Sequence, residues 1–308
     1  MTEHEHGSSH LVISSNQRRL LIALAITGLM TVVELAGGLV SNSLALIGDA
    51  GHMFTDTLAL GLSFFALSLA KRPATQTKTY GYYRAEILAA LTNGVVLILV
   101  SGYIFYESYR RLVTPPEVHG GLMVIVAAVG LVANVVGISV LRFGRTRNLN
   151  VKGAFLHMLS DTLSSIGVIA AGAIILLTGR TIADPIISIV IALLILRGAG
   201  GLVLESINIL LEAVPKNLDV SQINNAIREI KGVRDVHDVH LWAITSDIYA
   251  ISCHLLIQDQ MVSNCTRIVD DVNQMLSQKF GISHSTLQLE CEECESSPVC
   301  HIGGEHEV

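Results

Sequence analysis

Six apolar runs dominate the chain between Leu20 and Leu204, at Leu20–Val40, Leu44–Ala70, Ala85–Leu112, Gly121–Phe143, Val151–Leu177 and Pro185–Leu204. A bilayer core takes about 20 apolar residues per helix, so each run is long enough to cross one. Composition agrees, because the 308 residues are 51% hydrophobic and only 15% charged, whereas soluble domains carry roughly 25% charged residues. The expected fold class is therefore a membrane α-helical protein with six transmembrane helices over residues 18–212.

Basic residues between the runs set the orientation. Arg18 and Arg19 precede the first run; Lys71, Arg72, Lys78 and Arg84 lie between the second and third; Arg142, Arg145, Arg147 and Lys152 lie between the fourth and fifth. The other side has Arg110, Arg111 and Arg180, so both termini are expected in the cytosol. Residues 1–17 contain His4, His6 and His10 but no apolar core ahead of a small-residue cleavage site, so the first span itself is expected to act as the targeting signal.

Beyond Pro215 the pattern changes to short amphipathic elements. A helix is expected over Val220–Ile230, strands over Val236–Trp242 and Ile248–Ile257, a helix over Asn264–Phe280 and a last strand over His284–Glu290. That α-β-β-α-β order predicts a small α+β domain over 213–290, with a Cys- and His-containing tail over 291–308. Five cysteines in a cytosolic domain argue for thiol or metal chemistry rather than disulfides.

Two of the apolar runs carry the same unusual insertion. His52 and Asp56 stand four apart in the second run, and His157 and Asp161 repeat the spacing in the fifth. Residues four apart share a helix face, and ionisable groups inside a membrane are costly enough to mark a functional site. Two such faces turned toward each other give a tetrahedral set of two imidazoles and two carboxylates, suited to Zn²⁺, with Cd²⁺ and Co²⁺ as alternatives. Only the neutral imidazole binds metal, so metal and protons compete for these side chains, and exchange of Zn²⁺ for H⁺ follows. Asp49 lies on the same stripe as His52 and is a candidate relay or outer-shell group. Glu34, Glu86 and Asn134 are expected to form hydrogen bonds between helices.

The four residues of that site, with the run Tyr80-Gly81-Tyr82-Tyr83-Arg84-Ala85-Glu86 and the run Val236-His237-Asp238-Val239-His240-Leu241-Trp242, make the chain resemble the cation diffusion facilitator family, closest to its bacterial zinc-exporting branch. The resemblance implies a homodimer in a bacterial inner membrane, Zn²⁺/H⁺ antiport out of the cytosol through His52, Asp56, His157 and Asp161, and a ferredoxin-like cytosolic domain that binds regulatory Zn²⁺ and pairs with its twin. It implies His237, His254, His284 and Glu290 as cytosolic ligands, with His240 as a further candidate. The tail adds Cys291-x-x-Cys294, then Cys300 and His301, a spacing suited to thiolate coordination. Two family features are missing: Lys71–Arg84 and Arg142–Asn150 contain no His, Cys, Asp or Glu, which excludes a metal site in either loop.

A formal net charge of −6 gives no support to a nucleic-acid partner. A membrane metal receptor that signals without transport is the first alternative function. The second, an intramembrane metalloenzyme, lacks the helical H-E-x-x-H signature.

Overall fold

The computed structural model describes residue 25 and residues 27–70, 72–142, 149–246 and 248–292. Its first part consists of helices α1 (Thr27–Ser41), α2 (Leu44–Ala70), α3 (Arg84–Val113), α4 (Gly120–Arg142), α5 (Leu149–Thr178) and α6 (Ala183–Leu210). Among the described residues, three helical stretches are long and apolar enough to cross a membrane: Arg84–Val113, Asp161–Thr178 and Ala183–Leu210. Exposure runs opposite to that of a soluble bundle. Leu99, Val132 and Leu194 face outward, while Asn93, Ser101, Ser108 and Asn134 are buried. Lipid accepts the former, and burial against other helices removes the latter from hydrocarbon.

The chain divides into two compact units, one of them the residues up to Leu62 with Thr92–Leu202, the other Ser63–Leu91 with Val203 onward. In the first, α4 packs closely along α5, and glycine permits it. A Cβ on Gly172 would lie 2.7 Å from Val124 Cγ2 and 3.2 Å from the Gly120 carbonyl oxygen, so a side chain there would have to displace Val124. One end of the same unit is tied by a polar network. The carboxylate of Asp184, at the start of α6, accepts from Ser43 Oγ (2.6 Å), Leu44 N (2.8 Å) and Ala45 N (3.1 Å), and so caps the first turn of α2. Arg111 of α3 approaches the same carboxylate at 3.5 Å and donates to the Asn42 carbonyl at 2.6 Å. Asn42 holds a left-handed φ of 54° in the α1–α2 turn, and its amide bonds the Glu117 carbonyl at 2.9 Å.

The second unit contains α7 (Val220–Arg228), β1 (Val233–Thr245), β2 (Ile248–Ile257), α8 (Val262–Phe280) and β3 (Ile282–Glu290). The expected α-β-β-α-β order is present. Strands line up as β1-β2-β3, with β1 antiparallel and β3 parallel to β2. Asp219 caps α7 by accepting from Ser221 N at 2.8 Å, and α8 stops at Gly281, whose φ of 70° suits a left-handed cap. Odd-numbered residues of β2, namely Ile251, Cys253, Leu255 and Ile257, pack with Ile223 and Ile227 of α7 and Val272 and Leu276 of α8. The even-numbered face, bearing His254, is left free of that core. Burial pushes the Cys253 thiol up to about 12, and Cys265 is buried too.

The α2–α3 loop and the start of α3 belong to this unit. Glu86 accepts from Thr245 Oγ1 at 2.8 Å, and Arg84 pairs with Glu212 at 2.7 Å. Glu86 was expected to bond between helices; it caps the end of β1 instead. Glu34 and the Asn134 amide nitrogen, also expected to bond between helices, have no hydrogen bond among the described residues.

Candidate metal centres

The helical repeat puts His52 two turns into α2, and Asp161 near the middle of α5. The structure brings these two together, with Nε2 of His52 3.9 Å from Oδ1 of Asp161. Asp161 is 2% exposed and His52 is 21% exposed, so the pair sits inside the bundle with one side accessible. Asp56 and His157 occupy helical positions one turn from His52 and Asp161; their side chains lie outside the described residues.

Two more carboxylates gather around this pair. Glu34 of α1 and Asp49 of α2 are fully buried, and Glu34, Asp49 and Asp161 stand near enough for their charges to act on one another. Gly130 of α4 makes room for Glu34, because a Cβ there would overlap its Oε1. Carboxylates clustered in an apolar interior disfavour their shared negative charge, so the group favours a cation or a proton at its centre. The sequence signalled Asp49 through its spacing from His52. Glu34, expected from the sequence only to hydrogen-bond between helices, joins the group from α1 instead.

The second group lies on the face of the sheet turned away from α7 and α8. His237 and His254 are cross-strand partners, and Glu290 stands one diagonal step from His254 on β3. His254 Nδ1 lies 2.9 Å from Glu290 Oε1, and His237 Nε2 lies 3.0 Å from Glu290 Oε2. The imidazoles meet edge to face with centroids 5.3 Å apart. One ligand atom from each residue falls within 4.8 Å of the others. His237 Nε2 and Glu290 Oε2 are buried and close, yet not aligned as a hydrogen bond. Such side-by-side donors fit a shared cation better than they fit each other, and two nitrogens with a carboxylate suit Zn²⁺ while leaving one coordination position open.

Parity alone would have placed His237 and His240 on opposite faces. The pairing runs from His237↔His254 to His240↔Ser252, three steps on β1 against two on β2, so β1 carries a bulge. The bulge turns at Asp238, where φ is 49°. It returns His240 to the His237 face and aims the Asp238 carboxylate across the sheet, 3.1 Å from His240 Nε2 and 3.5 Å from His254 Nε2. Asp238 is the residue that sequence reasoning passed over. His240 therefore touches the group through Asp238, without entering it.

His284 does not join the group. It shares a strand face with Glu290 but pairs with Ala250, whereas Gln288 is the partner of His254. Alternation fixes the face of a strand residue and says nothing of its position along the strand; six residues at about 3.3 Å each separate the two. The His284 ring instead meets Tyr80 edge-on at 5.5 Å. Cys291 follows Glu290 and is exposed. Cys294, Cys300, His301 and the N-terminal histidines lie outside the described residues.

An apolar helical unit with a buried His–Asp pair, continued by a small sheet with a His, His, Glu group, fits a membrane protein that handles cations. The chain belongs to the cation efflux family: the model of the cation efflux transmembrane domain matches residues 20–211, and that of the cation efflux protein cytoplasmic domain matches residues 215–292. Its relatives include the cation efflux system protein CzcD of Alcaligenes sp. (strain CT14), 42% identical over 94% of this chain and 92% of that one. A cadmium, cobalt and zinc/H(+)-K(+) antiporter of Bacillus velezensis is 44% identical over 92% of this chain and 91% of its own length. The zinc transporter ZitB of Escherichia coli is 40% identical over 97% and 95%.

Proposed function

We propose that this protein is a secondary transporter exporting Zn²⁺ from the cytosol in exchange for protons, with Cd²⁺ and Co²⁺ as further substrates. The observation that carries the reading is the approach of His52 on α2 to Asp161 on α5 inside the apolar unit, with Asp56 and His157 one turn away. The relatives' names support it, since they describe zinc transport and cation/proton antiport. The receptor and metalloenzyme alternatives have no such support.

In this reading His52, Asp56, His157 and Asp161 hold the ion in transit. Removing a proton from each imidazole readies the site for metal, and reprotonation from the far side releases it. Asp49 and Glu34 enclose the site with negative charge, which favours a cation there and offers proton acceptors next to the ligands. Six spans over residues 18–212 carry this machinery in a bacterial inner membrane, with both termini in the cytosol. A ferredoxin-like domain over 213–290 pairs with its twin in a homodimer and holds regulatory Zn²⁺ through His237, His254 and Glu290, with Cys291 and the tail residues Cys294, Cys300 and His301 as further donors. Asp238 orients His254 from behind and is itself held by His240, an arrangement that fixes the ring of a ligating histidine.

The test is zinc flux into proteoliposomes loaded with a zinc-sensitive dye under an imposed pH gradient, comparing the wild type with Asp56→Ala and Asp161→Ala. Flux is expected to depend on the gradient and to be lost in both variants. Unchanged flux in the variants would refute the site, and flux indifferent to the gradient would refute antiport alone.

A further inference from the structure

His284 and the loop it touches are left over by both metal groups. Residues of the α2–α3 loop and of the sheet enclose a cleft of about 600 Å³, lined by Arg72, Thr79, Tyr80 and Tyr83 on one side and by Ile244, Ile248, Ser283 and His284 on the other. We propose that this cleft binds the phosphate headgroup of an anionic phospholipid of the cytosolic leaflet.

Charge is the first reason. Of the described basic residues in and beside the loop, Arg84 is committed to Glu212 and the Lys78 ammonium sits 4.3 Å over the Tyr82 ring. Arg72 makes no ion pair among the described residues, and no acidic side chain among them lines the cleft. A guanidinium with no ion-pair partner among the described residues, in a cleft also lined by a serine, a tyrosine and a histidine, is a donor set for phosphate oxygens.

Position is the second. Helix α2 ends at Ala70 and α3 begins at Arg84, so the loop lies where apolar helices leave the bilayer. The loop packs with the domain that matches the family's cytoplasmic model, which puts it on the cytosolic side. It is an ordered turn, with Thr75 and Lys78 bonded reciprocally at 3.1 Å and Gly81 at a φ of 72°. Tyr80 and Tyr83 are 49% and 39% exposed. Aromatic side chains with polar tips are favoured at headgroup depth, and basic pockets beside cytosolic helix ends take anionic headgroups.

Shape is the third. Ile244 and Ile248 give the cleft an apolar wall beside its donors. That wall suits the glycerol and first methylenes of a lipid, which free phosphate lacks. A bound headgroup would bridge the loop and the sheet and hold the cytosolic domain on the membrane surface. The inference rests on the proposed membrane orientation but not on transport.

The experiment uses the full-length protein purified in detergent, titrated by native mass spectrometry and thermal shift with phosphatidylglycerol, phosphatidylcholine, inorganic phosphate or zinc. Phosphatidylglycerol is expected to bind saturably and raise Tm, with phosphatidylcholine and inorganic phosphate at least about tenfold weaker. Arg72→Gln should weaken phosphatidylglycerol binding about tenfold, the loss of one charge-assisted contact, with Arg72→Lys recovering part of it. Equal binding of inorganic phosphate would overturn the lipid assignment. So would phosphatidylglycerol binding unaffected by Arg72→Gln, or His284→Ala lowering zinc stoichiometry while leaving lipid binding intact. Failure of the flux assay leaves these readouts untouched, so the two proposals fail separately.

Discussion

The two proposed metal groups are assembled differently. In the helical unit, His52 and Asp161 stand 3.9 Å apart, and the buried carboxyl groups of Glu34 and Asp49 lie near them. On the sheet, Glu290 lies within 3.0 Å of both imidazoles, and Asp238 supports one of them from behind. Among the described residues, the first group is one imidazole near a carboxylate with further buried carboxyl groups about it, whereas the second sets one carboxylate against two imidazoles. A site that must release its ion gains from competing protons and slack ligands; a site that retains one gains from ligands fixed before binding.

Removing one ligand from each group tests that contrast most directly. Asp161→Ala should reduce proteoliposome zinc flux at least about a hundredfold, beyond the loss typical of an outer-shell group. Glu290→Ala should weaken zinc binding to the cytosolic domain of the full-length protein by about tenfold to a hundredfold in chelator competition, with flux at saturating zinc largely kept. Equal loss of flux in both variants would erase the distinction between a transit site and a retaining site.

Finer changes sharpen the cytosolic half. Asp238→Asn keeps the size of the side chain but removes its charge, and should weaken zinc binding about tenfold, with His240→Ala giving a smaller effect. No change in either would leave the bulge without a role in ligand positioning. The smallest expected effect concerns thiols. Burial holds the Cys253 thiol up to about 12, so at pH 8 it stays protonated and should resist iodoacetamide, while exposed Cys291 labels. Labelling of Cys253 should rise only as pH climbs toward 12 or as the domain unfolds, which mass spectrometry of digested protein would show.

What was legible in the chain follows from the range of each signal. Helical spacing is local, so His52 with Asp56 and His157 with Asp161 could be read as matched faces. The strand Ile248–Ile257 was bounded correctly because its apolar pattern starts and stops within it. Position along a strand depends on register, which is set by distant pairing, and so His284 could not be separated from Glu290. The bulge at Asp238 depends on one left-handed residue that carries no glycine to announce it. Asp184 caps a helix 139 to 141 residues away in sequence, a pairing that no local pattern announces.

That cap makes α2 a lever with a fixed fulcrum. Three bonds from Asp184 hold the helix at its first turn, so any tilt of α2 must swing the opposite end. His52 lies about 12 Å from the pinned turn and Ala70 about 39 Å from it, at 1.5 Å per residue. A tilt of about 10° would then shift His52 by about 2 Å, enough to make or break a ligand contact, while displacing the far end by about 7 Å. An end anchored in this way would turn a wide excursion at the far end of the helix into a fine adjustment at the proposed ion site.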